Sequence, residues 1–244
     1  MTDDPYRDTE LVELYDIDNP GGEDHDYYRA LADEVGAQSI IDLDCGTGLL
    51  TRSLARAGRT VIGIDPSRTM LDYARRQPGS RSVTWIHGDA SALPHDGTFD
   101  LAICTGNAIM HVSAEALPAT LTSLAAALRS GATLSFESRN PACRAWQRWT
   151  PEATYSERVI PAGLLREWLD VTDVSDGRVV FDAHNLFPDG TDRVYASTLF
   201  FRGAEEFQRE LGLAGFRDIA WTGGWHGTPV EDSSPSFVFR ARRA

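Results

Sequence analysis

The sequence predicts an α/β fold, a doubly wound, mostly parallel seven-stranded sheet interrupted late by an antiparallel three-stranded insert. Three observations predict it. Short apolar runs alternate with helical patterns between residues 39 and 137. A glycine turn, Gly46-Thr47-Gly48, joins the first run to the first of those helices. Beyond Asn140-Pro141, two Asp-Gly pairs, Asp176-Gly177 and Asp189-Gly190, separate segments of strand-like composition.

Residues 1–38 mix acidic positions with Tyr6, Tyr15, Tyr27 and Tyr28 around the turn Asn19-Pro20-Gly21-Gly22, then enter a helical pattern through Tyr28, Leu31 and Val35. They form an N-terminal cap segment. Residues 39–45 carry Ile40, Ile41 and Leu43 as a first strand, and Leu49, Leu50, Leu54 and Ala57 follow at helical spacing. Thr60–Asp65 is the second strand, and Ser67 caps a helix bearing Met70, Leu71 and Ala74 that stops near Pro78-Gly79. Residues 83–89 and 99–105 make strands three and four. Leu117, Leu121, Leu124 and Leu128 share one face of a helix over 114–128, closed by Gly131 before a fifth strand at 132–137. The insert is expected over 141–202, its strands at about 164–175, 178–187 and 192–201. A helix over 204–213 and closing strands at 216–222 and 236–240 return the chain to the main sheet, so 39–140 and 203–244 form one nucleotide-binding domain.

At 244 residues, 42% hydrophobic and 24% charged, the chain has the composition of a globular protein able to bury a full core. A net charge of −13 repels polyanions and disfavours nucleic acid or an anionic membrane face as partner. The opening MTDDPYRDTE is acidic and without an apolar run, and nowhere do about 18 apolar residues follow one another, which reads as a cytoplasmic, unprocessed protein. Cys45, Cys104 and Cys143 lack paired spacing, so neither a disulfide framework nor a zinc site is expected.

The residues with chemistry in them gather at strand ends. Asp42-Leu43-Asp44-Cys45-Gly46-Thr47-Gly48 closes the first strand and opens a helix, whose glycines admit a ligand to the backbone and whose N-terminus offers free N–H groups. Asp65 ends the second strand, where a carboxylate can accept both hydroxyls of a ribose. His87-Gly88-Asp89-Ala90 ends the third, where an Asp side chain and the following N–H can hold an adenine edge. Three successive strand ends thus face one nucleoside.

With these motifs in place, the chain resembles the class I S-adenosylmethionine-dependent methyltransferases, specifically their small-molecule enzymes, closely over 39–137 and by strand order elsewhere. The family's D-L-G-C-G-T-G motif falls on Asp42 to Gly48, with Asp44 standing where a glycine is usual. Its ribose acid falls on Asp65 within Gly63-Ile64-Asp65-Pro66-Ser67, its adenine acid on Asp89, and its segment after strand four on Thr105-Gly106-Asn107. The resemblance implies S-adenosylmethionine as cofactor and methyl transfer to an O, N or C nucleophile of a small molecule. It implies a cofactor site made of Tyr15, Asp42, Asp44, Gly46, Thr47, Gly48, Asp65, Pro66, Ser67, Met70, Asp89, Ala90, Thr105 and Asn107. Tyr15 or Tyr27 would close over the sulfonium. The acceptor site would draw on Asn107, His111, Arg139, Trp146 and Tyr195.

Other readings stand beside this one. Dinucleotide-dependent dehydrogenases want G-x-G-x-x-G, and the third place here is Thr51. Base-modifying methyltransferases carry Asn/Asp-Pro-Pro-Tyr/Phe after strand four, whereas Asn107 precedes Ala108-Ile109. A cofactor-binding accessory protein without turnover fits the lack of an obvious base. Singly, Gly46 and Gly48 are an ordinary turn, and Asp65 and Asp89 ordinary caps. Glu23-Asp24-His25-Asp26 reads as a solvated loop rather than a metal site. His111 is open between a catalytic base and a packed histidine at a helix start, and Trp146 and Trp149 between core and pocket wall. Asp44 either binds the cofactor's amino group or faces solvent.

Two-residue turns at both Asp-Gly pairs would set His184 opposite Leu169 and Tyr195, on one face with Asp182, Arg193 and Ser197. The other face would carry Val179, Phe181, Ala183, Val194 and Ala196. His184 and Tyr195 are then further catalytic candidates. A one-residue slip exchanges the faces.

Overall fold

The computed structural model describes residues 5–244; the first four residues of the cap segment lie outside it. Two helices come first, α1 (Thr9–Asp18) and α2 (Glu23–Glu34). An alternating series follows: β1 (Ser39–Leu43), α3 (Leu49–Leu54), β2 (Thr60–Asp65), α4 (Arg68–Arg76), β3 (Thr84–His87), β4 (Phe99–Cys104), α5 (Leu117–Ala127) and β5 (Leu128–Arg139). A short helix α6 (Pro151–Thr154) leads to β6 (Ser156–Ile160), β7 (Gly163–Ser175), β8 (Arg178–Leu186) and β9 (Asp192–Phe200). The chain closes with α7 (Ala204–Leu213), β10 (Phe216–Thr222) and β11 (Ser236–Arg243).

Seven strands form one sheet in the order β10-β11-β5-β4-β1-β2-β3, in which only β11 runs against its neighbours. Successive side chains of a strand point to opposite faces, and here both faces are apolar. Ile40, Leu101 and Ile103 pack on one side with Tyr28 and Leu31 of α2 and Leu50 and Leu54 of α3. Ile41, Leu43, Ala102 and Cys104 face the other side, with Leu117, Leu121 and Leu124 of α5 and Phe207 and Leu211 of α7. Ser67 caps α4 as its position requires, accepting the N–H of Met70 at 3.2 Å. Pro118 holds the start of α5 at Leu117, later than the expected 114, because its fixed φ suits a first helical turn.

The second sheet corrects two expectations. It has four strands, β6-β7-β8-β9, not three. The added strand, β6, is a short charged edge whose Arg158 pairs with Glu167 at 2.6 Å and whose Glu157 pairs with Arg166 at 3.0 Å. Its register also departs from the expected one. The turn at Asp176-Gly177 pairs Ser175 with Arg178 as foreseen, but a bulge between Val171 and Asp173 then shifts β7 by one residue. His184 lies opposite Trp168, not Leu169. Across the second turn Leu186 pairs with Asp192, so the connection is longer than two residues, and His184 faces Val194 while Ala183 faces Tyr195. His184 and Tyr195 therefore stand on opposite faces of the sheet.

Asp8 caps α1, a helix with no counterpart in the expected element order, by accepting the N–H groups of Glu10 and Leu11. Among the described residues no helix is long and apolar enough to cross a membrane. The three cysteines are free thiols.

An aromatic cluster joins β5, β11 and α7. Phe136 and Phe239 sit directly opposite in register with rings stacked at 4.8 Å, and Phe207 closes on each at 5.1 Å. All three are buried. Phe239→Ala is expected to lower the unfolding free energy by about 3–5 kcal/mol, read as a lower midpoint in urea at unchanged slope.

Candidate functional site

The main sheet changes direction between β1 and β4: β2 and β3 continue to one side of β1, and β4 and β5 are laid down on the other. In sheets of this type the crevice outside such a switch point is where ligands bind. A cavity of about 370 Å³ occupies it. The loop after β1 contributes Asp44 and Gly46, the segment after β2 contributes Asp65, Pro66, Ser67 and Met70, and that after β4 contributes Thr105, Gly106, Ala108 and His111. Pro5, Tyr6 and Tyr15 form the N-terminal wall, and Ala196, Ser197 and Thr198 of β9 form the wall opposite.

The loop after β1 is built from left-handed residues. Asp44, Gly46 and Gly48 have φ of 57°, 54° and 69°. Gly48 is sterically obligatory, since a Cβ there would lie 2.2 Å from the Trp85 ring. A Cβ on Gly46 would meet no atom within 4 Å, because that face opens onto the cavity. Asp44 holds the same backbone conformation with a side chain, at a cost of order 1 kcal/mol. This accounts for the glycine usual at that place and leaves the carboxylate at the cavity wall. Asp65 then fixes the loop: its two oxygens accept the N–H of Gly46 and the N–H of Ser67, each at 2.7 Å.

The electrostatics are one-sided, because no Lys or Arg lines the cavity. Burial, then the charges of Asp65, Asp42 and Asp89, push Asp44 up to about 7. Behind it Asp42 is fully buried and also pushed up to about 7, by burial first, although the Thr51 hydroxyl donates to it at 2.6 Å. Glu137, at the end of β5, is raised by burial to about 7 while accepting from the Tyr28 hydroxyl and, at 2.7 Å, from the N–H of Asn107. That last bond fixes the turn after β4, where Asn107 has φ of 58°.

The N-terminal segment is tied to both remaining walls. The Thr47 hydroxyl donates to Asp16, and the Ser67 hydroxyl to the carbonyl of Tyr6. From β9, Arg193 and the Tyr195 hydroxyl donate to Asp8 at 2.9 and 2.6 Å, and Arg158 of β6 pairs with Asp18. Burial opposes the charge on Asp8, but the bonds from Tyr195, Arg193 and the Leu11 N–H outweigh it and lower its pKa. The Tyr6 ring meets His111 edge-on at 5.9 Å and Tyr15 at 6.3 Å.

Of the residues expected to hold a cofactor, Tyr15, Asp44, Gly46, Asp65, Pro66, Ser67, Met70 and Thr105 line this cavity. Asp42, Thr47 and Gly48 stand behind it as supports of the loop. Ala90 is buried in the core, and Asp89 is exposed, its carboxylate accepting from the N–H and hydroxyl of Ser91. On the acceptor side His111 lines the cavity, whereas Asn107 braces against Glu137 and Tyr195 holds Asp8. Arg139 lies over Trp149 at 5.8 Å, and Trp146 packs on Phe201 at 4.5 Å. His184 stacks on Trp168 at 4.7 Å and bonds Asp192 at 2.8 Å, apart from the cavity lining. Tyr27 packs on Tyr28 and Trp225. Tyr6, Ala108 and the stretch Ala196 to Thr198 are lining residues that sequence reasoning did not assign, since long-range folding alone brings them here.

The chain is similar to known methyltransferases over part of its length. The family profile described as a methyltransferase domain matches residues 40–131. A cypemycin N-terminal methyltransferase from a Streptomyces species is 32% identical over 106 residues, 43% of this chain and 43% of that protein's own length. The CcbJ methyltransferase of Streptomyces caelestis has the same fold across 99% of this chain and 100% of its own, with a TM-score of 0.79 at 18% identity. CalS10 of Micromonospora echinaspora, described as an amino pentose methyltransferase with S-adenosylmethionine bound, superposes at 0.68 over 96% of this chain and 97% of its own, at 21% identity.

The raised carboxylates carry a pH dependence whose sign is fixed. Asp44 binds its proton more tightly folded than unfolded, so its contribution to stability declines as pH rises from about 4 to about 7 and is constant above. Without ligand, Asp44→Asn is expected to be more stable than the parent at pH 8, by on the order of 1–2 kcal/mol in urea unfolding, with the gap closing as pH falls from about 7 to about 4.

Proposed function

We propose, for a chain whose residues 40–131 match a methyltransferase-domain profile, that it binds S-adenosylmethionine and transfers the methyl group to an oxygen, nitrogen or carbon nucleophile of a small molecule. The observation that carries the proposal is the cavity at the switch point, walled by two carboxylates, with no lysine or arginine among its described lining residues, and closed by the N-terminal segment and β9. A cationic sulfonium nucleoside suits it. The volume falls within the range of small-ligand sites.

In this reading Asp65 receives the ribose hydroxyls, with Pro66, Ser67 and Met70 beside it and Asp89 and Ala90 at the adenine edge. Asp44, Gly46, Thr47 and Gly48 hold the methionine end, supported by Asp42. Tyr15 closes the cofactor side. Thr105, Asn107, His111 and the insert shape the acceptor side, with Arg139, Trp146 and Tyr195 supporting it. Residues 39–140 and 203–244 serve as the cofactor domain, 141–202 as the acceptor-side insert and 1–38 as the cap.

The cofactor supplies a methyl group on a sulfur that is already an excellent leaving group. What the chain must add is alignment and exclusion of water. The Tyr6, Tyr15 and His111 rings wall one side and Ser197 and Thr198 the other. His111 is the one imidazole on the lining and is placed to take a proton from the acceptor. The enclosure and the net charge of −13 favour a small molecule over nucleic acid or a membrane face, in the cytoplasm.

Calorimetric titration with S-adenosylmethionine and S-adenosylhomocysteine tests the cofactor site. The native protein is expected to bind both at micromolar concentration, and Asp65→Ala to weaken both about a hundredfold, the loss of charged hydrogen bonds to a diol. Failure of the native protein to bind either ligand sinks the reading. Candidate acceptors are then scored by the gain of one methyl group in the product mass.

A further inference from the structure

Four of the five acids at or behind the cavity are engaged by the protein itself. Asp65 accepts from Gly46 and Ser67, Asp42 from Thr51, Glu137 from Tyr28 and Asn107, and Asp89 from Ser91. Asp44 differs. It lines the cavity, is half-buried, and among the described residues no donor or cation engages its carboxylate. Its neighbours make ionisation harder, since Asp65, Asp42 and Asp89 all oppose it. It also occupies a left-handed backbone position that glycine would hold without strain. A side chain kept there at a cost, facing a cavity with no lysine or arginine among its described lining residues, needs a positive charge from elsewhere.

Its position shows which charge. Asp44 stands at the tip of β1, between the β2 side of the cavity with Asp65 and Ser67 and the β4 side with Thr105, Gly106 and His111. The cofactor reading, on which this inference rests, places the ribose on the first side and the acceptor on the second. The transferable methyl must point from one to the other, so the sulfur bearing it lies at their boundary, beside Asp44. We propose that Asp44 is the counter-charge of the sulfonium and makes the site bind the charged cofactor in preference to its neutral demethylated product.

The reaction itself then weakens the product's hold. The acceptor's lone pair forms the new bond to the methyl carbon, the carbon–sulfur bond pair stays on sulfur, and the acceptor's proton passes by way of His111 to solvent. A thioether remains, without the charge that Asp44 faced. The amino and carboxylate groups are common to cofactor and product and cannot tell them apart. The sulfur can.

Asp44→Asn tests this in the full-length protein, because asparagine keeps the size and tolerates a left-handed φ while losing the charge. Calorimetric dissociation constants for S-adenosylmethionine and S-adenosylhomocysteine are compared between the parent and the variant. The expected result is a loss of about tenfold in affinity for the cofactor, ~1.4 kcal/mol, with affinity for the product unchanged or improved. Asp44→Gly, which also relieves the backbone, is expected to give the same narrowing of the ratio and covers any folding failure of the first variant. Equal loss for both ligands would assign Asp44 to the amino group and overturn the proposal, as would no change in either. A parent protein that binds neither ligand fails the cofactor reading instead, so the two failures are separable.

Discussion

The carboxylate of Asp65 accepts the N–H of Gly46 from the loop after β1 and the N–H of Ser67 from its own loop, and the cavity depends on that pair of bonds. The ladder between the neighbouring strand tips ends at Leu43 and Ile64, and one more backbone bond, from the Cys45 N–H to the Ile64 carbonyl at 3.0 Å, follows it. With Gly46 held, the left-handed path through Asp44, Gly46 and Gly48 has one geometry, and the first turn of α3 starts where Trp85 fills the space below Gly48. With Ser67 held, its hydroxyl is placed to reach the Tyr6 carbonyl and bring the N-terminal wall over the site. One buried acid thus positions elements far apart in sequence. Charged hydrogen bonds of this kind contribute about 1.5–3 kcal/mol each when buried.

The same region carries the least favourable electrostatics in the molecule. Asp42, Asp44 and Glu137 are all pushed up to about 7, chiefly by burial, and no arginine or lysine lines the cavity to offset them. Arginines elsewhere are paired generously, as Arg59 is with Asp33 and Arg193 with Asp8 and Glu10. A crevice whose raised acids face no lysine or arginine among the described lining residues is less stable alone than with a cation bound, which is the linkage expected of a site for a positively charged ligand.

What was legible in the sequence follows from what is local. Strands buried on both faces read as apolar runs, and α7 and β10 fall where periodicity places them, at 204–213 and 216–222. The loop after β1 was legible because left-handed backbone demands glycine, and Asp44 stood out for the same reason. The rest depended on partners that spacing does not reveal. β6 is a charged edge strand recognisable only through Glu167 and Arg166 on β7. The bulge at Thr172 moves His184 opposite Trp168, and the longer connection from Leu186 to Asp192 separates His184 from Tyr195, although both adjoining turns carry the expected Asp-Gly. Asp89 sits at the strand end its motif requires, yet its side chain turns to cap its own loop. Tyr6 reaches His111 only because the chain start folds back over β4.

The walls of the cavity are unequally attached, and the difference follows from the kind of contact each makes. The β1, β2 and β4 loops continue strands of a sheet apolar on both faces, so moving them disturbs the core. The N-terminal wall is held by polar contacts, Thr47 to Asp16, Ser67 to Tyr6, Arg193 and Tyr195 to Asp8, and Arg158 to Asp18, and by Leu11 and Leu14, which pack on Ile160 and Leu165 of the second sheet and on Phe187 just after β8. Val12 is the one residue of α1 that is buried outright. The cap bonds from Asp8 to Glu10 and Leu11 lie within α1 and would travel with it. Partly exposed ion pairs contribute roughly 0–1 kcal/mol each, so α1 is held less firmly than a strand tip continuous with the main core. The next helix is fixed differently, with Tyr28 fully buried on Glu137 and Leu31 in the core, and Asn19 to Gly22 lies between them. The softest boundary of the cavity therefore begins at that turn, on the side where Tyr6 and Tyr15 cover it.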